Sequence, residues 1–122
     1  MRRLLLTRVL MALWCPITAD GNLIGRQYLL KILPQIVDAV GGRAKVMLDT
    51  GITSGADIVA ALAAGADFVW VGRAYLYGLM AAGEAGVNRV VEILESEIVR
   101  TMKLLGVQRV EDLGREHIRL PD

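Results

Sequence analysis

Two short apolar runs, Lys45-Val46-Met47-Leu48-Asp49 and Phe68-Val69-Trp70-Val71, each end in a glycine-bearing turn that leads straight into a helical pattern. No other feature narrows the fold as much. A short unbroken apolar run suits a parallel strand buried on both faces, because a half-wet antiparallel strand would alternate polar and apolar residues. Parallel neighbours need a crossover, and the residues between the runs supply one. Ser54 and Asp57 have capping-box spacing, Ile58, Val59 and Leu62 recur at helical spacing, and Gly65 stops the helix. The strand–turn–helix unit then starts again at Phe68.

The flanks keep the same rhythm. Leu33-Pro34 followed by Ile36, Val37 and Val40 predicts a helix with proline in its first turn, closed by Gly41-Gly42. After the second run, a short helix is expected over 74–79 and a long one over 86–105. Val87, Val91, Leu94, Ile98 and Met102 share one face of the long helix, and Gly106 ends it. A polar tail with a turn at 110–113 follows. Helices alternating with parallel strands through tight turns mean an α/β fold. The repeat is that of a (β/α)8 barrel, which typically takes about 250 residues. This chain has 122, with two clear strands and room for a third before Asn22, so the barrel is incomplete in it.

Residues 1–20 read differently. Arg2 and Arg3 precede an apolar stretch over 4–15, as in an export signal, but Arg8 interrupts it and Trp14-Cys15-Pro16 is a poor approach to a cleavage site. Leu4, Leu5, Arg8 and Met11 equally fit an amphipathic helix. We therefore divide the chain into an irregular or helical segment, 1–20, and a βα-unit region, 21–122. A cytoplasmic location is expected, with no membrane span, since no apolar run reaches eighteen residues.

Hydrophobic residues make up 54% of the chain and charged ones 22%, so it must bury surface against its own core, a second copy or a companion chain. A homo-oligomer or a companion chain is accordingly expected. The net charge of +1 has no basic cluster behind it, which argues against nucleic acid. A single cysteine, Cys15, rules out an internal disulfide and a multi-cysteine metal site. The lone histidine, His117, reads as a surface residue, and no metal is expected.

The chemistry lies in the turns. Asp49-Thr50-Gly51-Ile52-Thr53-Ser54-Gly55 leaves the first run and opens a helix, and Gly72-Arg73 leaves the second and adds a guanidinium. Small residues let backbone approach a ligand, helix starts offer unpaired N–H groups, and arginine's planar fork suits phosphate. Such barrels often bind phosphate at the turns after their last two strands. The plainer reading is that the glycines serve turn geometry and Asp49 caps a helix. Trp70, Tyr75 and Tyr77 read as core, with stacking on a flat bound ring as the alternative, and Met47, Met80 and Met102 as packing. Glu92, Glu95 and Glu97 read as a solvated helix face.

From Gly21 to Leu113, and most strongly from Leu33, the chain resembles the FMN-dependent α-hydroxy-acid oxidases and dehydrogenases. The resemblance rests on Leu33-Pro34-Gln35-Ile36-Val37, Val40-Gly41-Gly42-Arg43, the stretch from Asp49 to Leu62, Val71-Gly72-Arg73-Ala74-Tyr75-Leu76-Tyr77-Gly78-Leu79 and Gly83-Glu84-Ala85-Gly86-Val87. The wording around Asp49 is similar to the lactate-dehydrogenase-like branch that includes mycofactocin maturation oxidoreductases. The resemblance implies the C-terminal part of an FMN-filled (β/α)8 barrel that oxidises a small 2-hydroxy acid to a 2-oxo acid. It implies cofactor contacts from Asp49, Thr50, Gly51, Thr53, Gly72 and Arg73. Thr50 stands where the family has glycine and Thr53 where it has a phosphate-holding arginine. Arg26 falls on the family's substrate-carboxylate arginine, whereas Leu23 occupies the place of the general-base histidine, so no catalytic base is assigned.

Overall fold

The computed structural model describes residues 9–12, 24–49 and 51–119. Three strands, β1 (Val9–Ala12), β2 (Lys45–Asp49) and β3 (Phe68–Trp70), form one parallel sheet in the order β1-β2-β3. Helix α1 (Ile24–Val40) connects β1 to β2, α2 (Gly55–Ala63) connects β2 to β3, and α3 (Arg73–Leu105) follows β3. Two short 3-10 turns, Val110–Asp112 and Arg115–His117, end the described chain. β2 and β3 pair in even register, Met47 with Phe68, Leu48 with Val69 and Asp49 with Trp70. The β1–β2 ladder, Val9 with Lys45 and Ala12 with Met47, carries an irregularity between its two pairs.

The core lies on one side of the sheet. Val46 and Leu48 point to it from β2, and Leu33, Ile52, Ala61, Ala64 and Ala66 close over them. The alternate residues of β2 and β3 face the other way, as the strand period of two requires. Phe68 and Trp70 are 52% and 51% exposed there, their rings meeting edge to face at 5.4 Å. A second cluster, Val59, Met102 and Val107, joins α2 to the end of α3. α2 is thus buried on two sides, and its small residues Gly55, Ala61 and Ala63 are what allow that.

Five expectations change. The described part of the start, Val9–Ala12, is the possible third strand before Asn22 and not irregular or helical, because parallel pairing with β2 satisfies its backbone. α1 begins at Ile24, so Pro34 sits inside it instead of in its first turn. Its apolar stripe extends upstream through Leu30 to buried Leu33, and that packing outweighs the hydrogen bond proline withholds from Leu30. β3 is not buried on both faces; it is an edge strand whose aromatic side faces outward. Tyr75, Tyr77 and Met80 are also exposed, Met80 by 81%, so they are not core. Val91, expected on the buried face of the long helix, is 56% exposed, whereas Met102 is buried.

The short and long helices meet end to end as α3, broken at Ala82 (φ −152°, ψ 25°) and Gly83 (φ 60°, ψ −136°). Glycine is required at 83, since that backbone region is closed to side chains. The break lets the two arms touch backbone to backbone at buried Gly78 and Gly86, where a Cβ on Gly78 would lie 2.6 Å from the Gly86 carbonyl oxygen.

Charged side chains tie the elements together. Asp67 accepts from Lys45 Nζ at 2.6 Å and from the Val46 N–H at 2.9 Å, clamping the start of β3 to the start of β2. The lysine contact first, and the N–H second, hold its carboxyl below the usual aspartate value. Arg115 grips Asp38 through two nitrogens, at 2.7 and 3.0 Å, and donates to the Pro34 carbonyl at 3.0 Å, fastening the tail to α1. Arg43 donates to the carbonyls of Ala39 and Val40, two acceptors left over at the end of α1.

Candidate phosphate-binding site

Parallel pairing of β2 with β3 brings their C-terminal ends together. The turn after Asp49 therefore lies beside the turn after Trp70, and α2 and α3 both start at this edge. The two starts are chemically unlike.

At the start of α2 the donors are taken from within. Asp57 accepts from the N–H groups of Thr53 (3.1 Å) and Ser54 (3.0 Å) and from the Thr53 hydroxyl (3.3 Å). The Asp57 N–H donates to Ser54 Oγ, completing the capping box read from the sequence. The Gly55 N–H donates to Glu97 Oε2 at 2.6 Å, a carboxylate delivered by α3. Gly51 makes the turn with φ 70°, which favours glycine. Both starts were expected to offer N–H groups, but at α2 those of Ser54, Gly55 and Asp57 are spent on Asp57, Glu97 and Ser54. Glu97 was read as part of a solvated face. The only sequence sign of its role was a glycine at the first position of α2, and glycine does not say which helix approaches.

The start of α3 is open. Gly72 is its N-cap, and among the described residues no side chain caps it. The first-turn N–H groups have no carbonyl within the helix to reach. Gly72 has φ −105° and ψ −86°, and among the described residues a Cβ there would meet nothing within 4 Å. Packing among the described residues does not explain a glycine at this position; close approach by a bound group would. Arg73 is the first residue of the helix and is exposed. An uncapped helix start with an adjacent guanidinium and a smooth approach fits a phosphate.

The other residues singled out from the sequence are placed as follows. Asp49 ends β2 on the open face of the sheet, in register with Trp70. Arg26 lies in the first turn of α1; its side chain, Leu23 and Thr50 lie outside the described residues. His117 closes the last 3-10 turn, its Nδ1 3.1 Å from the Gly114 nitrogen. Among the described residues no group of His, Cys, Asp and Glu could hold a metal, and no helix is long and apolar enough to cross a membrane. An open apolar groove of about 460 Å³, lined by Val99, Met102, Lys103, Gly106, Val107 and Gln108, lies at the opposite end of α3 from Arg73.

The sequence and the fold also match known proteins. The family model described as FMN-dependent dehydrogenase matches residues 23–120. A Mycobacterium tuberculosis protein provisionally named L-lactate dehydrogenase is 55% identical over 87 residues, 71% of this chain and 21% of its own. The pre-mycofactocin synthase of Mycolicibacterium smegmatis is 44% identical over 102 residues, 84% of this chain and 26% of its own. The structure of an active mutant of (S)-mandelate dehydrogenase superposes with a TM-score of 0.71 at 39% identity, over 75% of this chain and 26% of that one. The chain thus spans about a fifth to a quarter of the length of these relatives. The matched region, with β2, β3 and their helices, is the corresponding C-terminal part of a (β/α)8 barrel.

Proposed function

The chain belongs to the family of FMN-dependent dehydrogenases, and from that premise we propose that it carries the flavin-phosphate end of a 2-hydroxy-acid oxidoreductase. The observation behind this reading is the start of α3: uncapped among the described residues, reached past a glycine with open space where a Cβ would sit, and flanked by Arg73. The phosphate of FMN would rest on the first-turn N–H groups and the Arg73 guanidinium, with Gly72 leaving it room. Asp49, Gly51 and Thr53 form the neighbouring wall, and Thr50 belongs to the same turn in sequence. Thr53 brings no charge, and its hydroxyl is bound to Asp57, so Arg73 carries the electrostatic part of the grip.

The chemistry supplied when FMN is bound is hydride acceptance from the hydroxyl-bearing carbon of a small 2-hydroxy acid, lactate-like, leaving a 2-oxo acid. Arg26 is the residue of this chain suited to the substrate carboxylate. The hydroxyl proton needs a base, and Leu23 supplies none; His117, bound to the Gly114 turn, is not offered as one. Cofactor binding is therefore assigned to this chain, and turnover by it alone is not. We place it in the cytoplasm as part of the same reading.

Titration of FMN fluorescence tests it. Arg73→Ala should weaken binding by about 1.5–3 kcal/mol, the range for a hydrogen bond to a charged group. Equal affinity in wild type and variant removes Arg73 from the site. A second reading, a non-catalytic half-barrel acting by self- or partner association, is favoured by the outward-facing Phe68, Trp70, Tyr77 and Met80. A stable flavin-free oligomer in light scattering would select it.

A further inference from the structure

The carboxylate of Glu97 lies where an anion would sit on the start of α2. Its Oε2 takes the Gly55 N–H at 2.6 Å, a short, charge-assisted bond that also faces the positive end of the helix. Glu97 itself belongs to the middle of α3, where the Thr101 hydroxyl donates to its carbonyl at 2.7 Å. Gly55 rests directly on that stretch of helix: a Cβ would lie 2.5 Å from the Ile98 nitrogen and from Glu97 Cβ, and 2.6 Å from the Leu94 carbonyl. The turn over 51–55 is thus anchored to α3, the helix whose other end presents Gly72 and Arg73.

Resting on the flavin-phosphate reading above, we propose that Glu97 is a positioning residue for that site. By filling the anion position of α2, it fixes the 51–55 turn against α3 and directs an incoming phosphate to the start of α3. Two helix starts side by side would otherwise compete for one phosphate. A fixed negative charge on one of them repels a phosphate there, and a firm bond to backbone keeps the neighbouring wall in place. Glu97 touches neither cofactor nor substrate and acts through Gly55.

The test compares Glu97→Ala, Glu97→Gln and Glu97→Asp with wild type by amide NMR and FMN titration. Glutamine keeps an oxygen for the Gly55 N–H without charge; aspartate keeps the charge but falls short of the N–H. Expected for Glu97→Ala is a large shift of the Gly55 amide signal and loss of its exchange protection. Inorganic phosphate should then perturb Gly55, which it does not in wild type. FMN affinity should fall roughly tenfold in the alanine and aspartate variants, since a misplaced wall costs part of a charged contact. Glutamine should restore it to within about threefold of wild type, on the same scale. A purely structural role would lower the melting temperature of all three while leaving FMN affinity and the phosphate response of Gly55 unchanged, and that result overturns the proposal. Should Glu97→Ala not fold, the contrast between aspartate and glutamine decides alone. If wild type binds no FMN, the flavin reading falls by itself; the phosphate response of Gly55 in the variants still judges Glu97.

Discussion

Substituting alanine at Gly55 should damage this fold more than the same change at any exposed glycine. The new Cβ would meet Glu97 Cβ and the Ile98 nitrogen at 2.5 Å and the Leu94 carbonyl at 2.6 Å. Non-bonded carbons rest about 3.5–4.0 Å apart, so α2 and α3 must separate by about 1 Å. Two of the three atoms are backbone in mid-helix and cannot rotate away. Forced overpacking of this kind costs about 1–3 kcal/mol. The same movement stretches the 2.6 Å bond from the Gly55 N–H to Glu97 beyond hydrogen-bonding reach, losing about 1.5–3 kcal/mol for a bond to a charged group. Replacing glycine in a helix returns up to about 1 kcal/mol. Because one displacement produces both losses, they do not simply add, and a net destabilisation of about 2–4 kcal/mol is expected. Urea unfolding followed by circular dichroism reads this as a midpoint lowered by about 1–2 M. Gly72→Ala is the control: among the described residues its Cβ meets nothing, so it should cost clearly less stability than Gly55→Ala, about 1 kcal/mol or less, while FMN binding weakens. If Gly55→Ala is as stable as wild type, or Gly72→Ala is equally destabilised, the account of α2 against α3 is wrong.

Two further outcomes can be checked alongside. Asp67 has a lowered pKa, chiefly from Lys45 and then from the Val46 N–H, so its stabilising effect is fully present above the unfolded aspartate value near 3.8 and is lost as pH falls through the folded value. Asp67→Asn should therefore flatten the acid side of the stability–pH curve below about pH 4; an unchanged acid limb would detach Asp67 from it. Gly83→Ala forces a side chain into φ 60°, ψ −136°, a strain of about 1–3 kcal/mol that should appear as a lower melting temperature.

The elements themselves were legible in the sequence wherever a local signal sufficed. The β2 run, the Ser54–Asp57 capping box, the break near Gly83 and the helix end at Gly106 all depend on neighbouring residues, and the structure contains each of them. The Gly72-Arg73 turn could be singled out for the same reason, since a glycine and an arginine at a strand–helix junction are adjacent in sequence. Exposure was not legible. Phe68, Trp70, Tyr75 and Met80 are apolar and read as core, but whether an apolar face is covered depends on which elements lie opposite it, and here β3 is the edge of a three-stranded sheet. Nor could the sequence distinguish the two helix starts. Glu97 reaches Gly55 across 42 residues, and that pairing exists only because α2 packs on α3. Local chemistry is written in residue order, whereas which donors are left for a ligand is decided by what folds against them.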